Sequence, residues 1–264
     1  MYDFEFIKPA SLDEALAALE DEDAQALAGG QTLIPTLRQR LAMPTTLVSL
    51  RELPELRGVT VEDGILTLGA ATTHAQIARD IAEIYPALAS LASKVGDPSV
   101  RTLGTIGGSL ANNDPSACYP AAALASKATV ITNQREIAAD AFFEGLFTTA
   151  LEPEELIVSI RFPIPSAGSY QKFRQPASRF PLTGVFVARH ENEVHIAVTG
   201  ASEDGVYRWQ EAEDALAADF TPEAVDPLTV SPEGMISDMH GTPEYRANLV
   251  KVLTQRGVGE AGRV

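Results

Sequence analysis

The chain has 264 residues, 45% of them hydrophobic and 21% charged, enough for two or three domains around a substantial core. A net charge of −16 and a pI near 4.6 argue against binding the phosphate backbone of DNA or RNA, although backbone N–H groups at a helix start can still hold a small anion. The single cysteine, Cys118, rules out an internal disulfide and an iron–sulfur cluster held by this chain alone.

The opening MYDFEFIKPAS carries acidic residues where a secretory leader would carry Lys or Arg, and no long apolar run follows, so a cytoplasmic protein is expected. Ser11 and Glu14 stand at capping-box spacing, and Leu12, Ala15, Leu16 and Leu19 fall on one helical stripe. DAQALAGG reads as a short strand ending in a glycine pair. A helix follows, with Thr32 as its N-cap and Pro35 in its first turn, and TTLVSL is the next strand. That order is βαβ-like, with a glycine turn between strand and helix.

GVTVEDGILTLGA predicts a β-hairpin turning at Asp63-Gly64. Thr73 caps a helix running through Ala82, with His74 in its first turn in a structural role, and a second helix spans about Pro86 to Lys94. VGDPSVR breaks that helix. Strands are expected at ATVIT and LIVSIRFPIP. After Pro165, three strand-like runs (GSYQKFRQ, LTGVFVARH and EVHIAVTGA) suggest an antiparallel meander, and Ala-rich helices including PEYRANLVKVLTQRG end the chain. His190 and His195 flank a turn and read as surface residues. The four histidines, the other two being His74 and His240, show no close pairing at metal-ligand spacing, and no metal site is expected. The predicted divisions are 1–56, 57–165 and 166–264, the last boundary resting on Pro163, Pro165 and Gly168.

Three glycine-rich sites compete. GVGEAG at 257–262 matches GxGxxG, but it follows a helix and is expected to be a frayed tail. AGGQTL has a strand before it and a helix after it. Gly29 and Gly30 let backbone approach an anion, with the N–H groups of Gln31, Thr32 and Leu33 turned toward it; the alternative is a tight turn that needs positive φ. TIGGSLANND surrounds Gly107-Gly108 with Thr105, Ser109, Asn112, Asn113 and Asp114, a mixture of hydroxyl, amide and carboxylate suited to phosphate plus ribose. Two such sites on separate elements suit a pyrophosphate-linked ligand held between two α/β lobes.

The pairing of LAGGQTLIPTLRQRL with GDPSVRTLGTIGGSLANNDPSACYPAAALA resembles the FAD-binding medium subunit of the molybdenum hydroxylases, the group of carbon monoxide dehydrogenase and xanthine dehydrogenase. LIVSIRFPIP, YQKFRQPASRF and HGTPEYRANLV extend the resemblance over nearly the whole chain. It implies an α+β fold: a two-lobed peroxidase-coumarate-hydroxylase-like FAD-binding domain, then a small C-terminal domain with antiparallel sheet and helices. By position it implies FAD contacts at Leu27, Ala28, Gly29, Gly30, Gln31, Thr32, Leu33 and Ile34, and at Thr105, Ile106, Gly107, Gly108 and Ser109. Asn112, Asp114 and Cys118 follow in the same segment. Val95 and Ile157 would pack at the flavin end, and Arg174 would stand where relatives carry a basic residue near the flavin. Two departures stand out: Ser109 replaces the usual Asn, and Cys118 replaces an acidic FAD contact. Cys118 itself reads as a packed small side chain.

The resemblance further implies an oxidoreductase subunit without catalytic side chains of its own. A large molybdopterin subunit would oxidise the organic substrate. A small subunit with two-iron two-sulfur clusters would pass electrons to FAD here, and an external acceptor would receive them. The alternatives are a self-sufficient FAD-dependent oxidase or reductase of the same fold, and a non-catalytic assembly subunit.

Overall fold

The computed structural model describes residues 1–191 and 193–263. Strands β1 (Glu5–Ile7), β2 (Ala24–Leu27) and β3 (Thr46–Ser49) form a parallel sheet in the order β1-β3-β2. Helix α1 (Leu12–Leu19) takes Ser11 as its cap, but the reciprocal half of the expected box goes to the residue before the cap. Ser11 Oγ accepts the Glu14 N–H at 3.2 Å, and the Glu14 carboxylate accepts the Ala10 N–H at 2.8 Å. Ala15 and Leu19 then bury against Val48, Leu50, Leu53 and Leu56. Helix α2 (Leu33–Arg38) departs from expectation: Thr32 precedes it, but its backbone is already helical and its hydroxyl makes no cap. Gly30, at φ +70°, turns the chain instead, and its carbonyl takes the Ile34 N–H.

The second sheet is antiparallel. Its members are β4 (Val59–Glu62), β5 (Ile65–Gly69), β6 (Thr129–Thr132), β7 (Glu136–Ala138) and, after the side ribbon β8 (Phe143–Gly145) and β9 (Thr148–Thr149), β10 (Ile157–Pro163). Their order is β4-β5-β10-β6-β7. Asp63 and Gly64 both take positive φ, the left-handed pair that the hairpin signal demands. Helices α3 (His74–Asp80), α4 (Pro86–Ser93), α5 (Pro98–Leu103), α6 (Ile106–Asn112), α7 (Tyr119–Ala125) and the one-turn α8 (Ala139–Phe142) accompany this sheet. Thr73 and Gln76 complete a capping box on α3. The break at VGDPSVR is short, because Asp97 accepts the Val100 N–H and starts α5 at once. Gly107 and Gly108 lie in the first turn of α6, not in a loop, under the cap supplied by Thr105. The shared core holds Leu68, Ile77, Tyr85, Leu88, Ile160 and Phe162, and every residue of α7 is buried.

Strands β11 (Ala167–Arg174), β12 (Pro181–His190), β13 (Glu193–Ser202) and β14 (Gly205–Arg208) form the expected meander. One face packs on α9 (Gln210–Ala218) and α10 (Pro243–Glu260) through Val185, Val187, Ile196 and Val198. The other face sends Tyr170, Phe186, Ala188 and Ala197 into the second sheet's core. Cover on both faces makes β12 and β13 almost continuously buried.

Two expectations fail for that reason. His195 is buried, not exposed, because strand alternation turns it with Ala197 toward α7; burial lowers its pKa and that of His190, whose ring lies 5.6 Å away. GVGEAG is not frayed either. Gly257 to Glu260 continue α10, and β15 (Gly262–Arg263) pairs with β11. A Cβ on Gly257 would stand 2.8 Å from Val187 Cγ2, so this glycine lets the helix approach the sheet, where its carbonyl accepts from Ser169 Oγ at 2.7 Å.

Candidate cofactor site

A cavity of about 790 Å³ opens where the first sheet's glycine turn meets α6, and β11 and the loop after it close its far side. Its size lies within the range of ligand pockets. The two glycine motifs touch: a Cβ on Gly29 would stand 2.4 Å from the Leu103 carbonyl oxygen and 2.6 Å from Gly104 Cα. The second motif is also tied to the segment before α3. Thr72 and Ala70 carbonyls accept the Ile106 and Gly107 N–H groups, and His74 N–H donates to the Gly104 carbonyl.

These bonds divide the labour between the motifs. Among the described residues no backbone carbonyl or side chain accepts the N–H groups of Gln31, Thr32 and Leu33, all three of which line the cavity. At α6 the corresponding groups are already committed, so the first motif is the one with donors to offer. Gly108 has a different value. A Cβ there would meet only Thr105 Oγ1 at 3.0 Å and Ala28 Cβ at 3.9 Å, so the missing side chain leaves cavity space. Free donors beside a cradle that a Cβ would fill are what a pyrophosphate needs.

Of the residues singled out by resemblance, Leu27 to Leu33, Val95, Thr105, Gly107, Gly108, Ser109, Asn112, Asp114, Cys118 and Ile157 line this cavity. Ile34 packs beneath Gly30, 3.0 Å from where its Cβ would be, and Ile106, the first residue of α6, is wholly buried. Arg174 is exposed at the end of β11 and does not line the cavity. The cations that do are Lys172, two residues earlier on the same strand, and Arg179. Alternation along a strand places 172 and 174 on one side, and the register shift between Phe173 and Arg174 separates them.

Lys172 Nζ donates to the Lys94 carbonyl at 2.8 Å and lies 3.5 Å from Cys118 Sγ. Cys118 is buried on the cavity wall, as a packed side chain beside an ammonium. Glu155 also reaches the wall. Bonds from Arg135 Nε and Nη2, each at 3.0 Å, with Thr132 and the Glu152 N–H, bring its pKa down to about 2. It is therefore a fixed anion with its bonding capacity committed. Sequence reading missed Lys172, Glu155 and His74 as lining residues, because each arrives from a separate element with no local motif.

The family described as "FAD binding domain in molybdopterin dehydrogenase" matches residues 2–165. The chain belongs to that family. The FAD-binding chain is 32% identical to the nicotine 6-hydroxylase medium subunit of Paenarthrobacter nicotinovorans, over 97% of this chain and 96% of that one. It is 31% identical to the carbon monoxide dehydrogenase medium chain of Afipia carboxidovorans, over 98% and 96%. Among solved structures, reconstituted CO dehydrogenase from Oligotropha carboxidovorans superposes with a TM-score of 0.88 at 30% identity, covering 98% of each chain. Members of this group are oxidoreductase subunits, and the mixed helix-and-sheet fold is theirs. Among the described residues no helix is long and apolar enough to cross a membrane, and no cluster of three or more His, Cys, Asp or Glu is placed to hold a metal ion.

The position of Cys118 gives a direct test of occupancy. Loading the family cofactor into this FAD-binding chain is expected to slow maleimide labelling of Cys118 at least about tenfold, because the buried thiol stands on the cavity wall that the cofactor would cover. Labelling rates measured with and without FAD check this; equal rates would place FAD elsewhere.

Proposed function

We propose that this chain is the electron-transferring flavoprotein subunit of a molybdenum hydroxylase complex, working between an iron–sulfur subunit and an external acceptor such as NAD, a quinone or oxygen. The observation that carries the reading is the convergence of two glycine motifs from separate sheets on one cavity with free backbone donors. The names of its relatives, a nicotine 6-hydroxylase medium subunit and carbon monoxide dehydrogenase medium chains, support a heteromeric assembly. In it, a large molybdopterin subunit and a small subunit with two-iron two-sulfur clusters would be the partners.

FAD when bound supplies the uptake and release of electrons, singly or in pairs. This chain's own residues bind and orient it. The N–H groups of Gln31 to Leu33 would hold the pyrophosphate, with Gly108 and Ser109 opposite. Val95 and Ile157 would exclude water at the flavin end, and Lys172 would favour negative charge there. Asn112 and Asp114 would serve the sugar hydroxyls in place of the acid lost at Cys118. The reading also takes residues 1–56 and 57–165 as the two lobes of a peroxidase-coumarate-hydroxylase-like FAD domain and 166–264 as a C-terminal α/β domain. The family match over residues 2–165 supports that division.

Electron transfer without substrate oxidation is the expected behaviour of the isolated chain. After dithionite reduction under argon, its flavin should reoxidise on adding ferricyanide, a quinone or oxygen. No purine, N-heterocycle or carbon monoxide should bleach it unless partner subunits are present. Bleaching by any of these in the chain alone would establish a self-sufficient enzyme instead.

A further inference from the structure

His74 opens α3, is 4% exposed, and lines the cavity with Gly104. Its Nδ1 lies 3.1 Å from the Tyr119 hydroxyl, and the two rings are 5.2 Å apart. Tyr119 is completely buried, and among the described residues that hydroxyl has no other hydrogen-bond partner. Burial, reinforced by the Arg101 guanidinium, lowers the His74 pKa to about 4, while burial holds the Tyr119 phenol well above its usual value. Both groups are therefore neutral over the working pH range.

Hydrogen-bond bookkeeping then selects a tautomer. If Nδ1 carried the proton, it would donate to the tyrosine oxygen and strand the buried O–H without an acceptor, at the desolvation cost of an unpaired polar group. If Tyr119 donates to Nδ1, the fully buried phenol hydrogen is satisfied and the imidazole proton sits on Nε2, the ring nitrogen left for the cavity side. Among the described residues Nε2 has no hydrogen-bond partner. It lies so close to Gly104 that a Cβ there would stand 2.7 Å from it, and only a glycine permits the ring this position. Gly104 in turn abuts Gly29, so Nε2 lies at the junction of the two glycine motifs.

We propose that His74, locked by Tyr119 as the neutral Nε2–H tautomer, is a binding residue for a phosphate oxygen of the dinucleotide pyrophosphate. The inference rests on the FAD-binding reading above. A neutral donor at this junction complements the free backbone N–H groups of the first motif without adding a buried cation, and the tyrosine keeps its orientation fixed. Asp97, which also lines the cavity, is held by the Val100 N–H and is not directed at the imidazole by any hydrogen bond.

The test uses the full chain. In ¹⁵N-histidine spectra of the apo-protein, His74 is expected to show a protonated Nε2 and an accepting Nδ1; an Nδ1–H tautomer overturns the proposal whether or not FAD binds. In FAD titrations, His74→Leu should weaken affinity by about tenfold or more, with one of the two ³¹P resonances of bound FAD displaced. His74→Gln, which keeps an N–H donor, should recover most of the loss. Parent-like affinity and unchanged ³¹P resonances in His74→Leu would overturn the contact. Should that variant fail to fold, Tyr119→Phe in the same ¹⁵N measurement decides. A mixture of tautomers supports the lock, and an unchanged one contradicts it. A parent chain that binds no FAD but shows the Nε2–H tautomer would defeat the cofactor reading and not the tautomer assignment.

Discussion

Replacing Gly108 with valine is expected to leave the chain folded and to weaken FAD binding by about 100-fold or more, the equivalent of about 2.7 kcal/mol. The protein itself tolerates the added atoms: Gly108 is exposed, its φ is not in the left-handed region, and a Cβ meets only Thr105 Oγ1 at 3.0 Å and Ala28 Cβ at 3.9 Å. Within α6 the exchange even relieves the helix penalty of glycine by a few tenths of a kcal/mol. The branched side chain instead occupies the cavity. Its neighbours provide the contrast. A Cβ on Gly107 would stand 2.6 Å from Ala70 Cβ and 2.8 Å from its carbonyl oxygen, and one on Gly29 would run into Leu103 and Gly104 backbone. Gly29→Val and Gly107→Val should therefore lose fold and cofactor together, and Gly30→Val should be strained by its φ of +70°. Circular dichroism beside FAD titration separates the cases. Parent-like FAD affinity in Gly108→Val would remove the pyrophosphate from this turn.

A large effect on stability away from the cavity is expected at Arg246, on α10. Its guanidinium is buried against the β12–β13 end of the third sheet. Nη1 donates to the Leu182 and Gly200 carbonyls at 2.7 and 2.6 Å, and Nη2 to Asp238 at 2.7 Å. Arg246→Met keeps the volume of the stem and strips those donors, leaving two buried carbonyls without their partner, while the exposed Asp238 carboxylate keeps the His240 and Gly241 N–H groups and water. Stranding the two buried carbonyls costs roughly 1–3 kcal/mol each, which for a chain of this size lowers the midpoint by roughly 10 °C. Thermal unfolding monitored by circular dichroism reads this directly. A fall of less than about 3 °C, below about 1 kcal/mol, would mean that the three bonds contribute little beyond what water supplies.

Local signals were the legible part of this protein. Ser11, Thr73 and Asp63-Gly64 each specify their turn or cap through contacts within three residues, and each forms as read. The glycine pairs were legible as places where backbone must come close to something. What each approaches was not, because Leu103, Gly104 and Ala70 arrive from elsewhere in the chain. The same limit hid Lys172 behind Arg174: both sit in one basic strand end, and only the irregular register against β12 decides which reaches the cavity. His195 and Gly257 were misread for a related reason. Their surroundings are set by α7 and by β11–β12, packing partners that no nearby residue announces. Three-residue β1 lacked the length for an alternation signal and gains its place from pairing with β3.

Titrating the purified apo-chain with FAD, following absorbance and flavin fluorescence, tests the central claim most directly. One FAD per chain should bind, be released intact by denaturant, and be lost in Gly108→Val while the circular dichroism spectrum is kept. A correctly folded parent chain that stays colourless at saturating FAD would contradict the account.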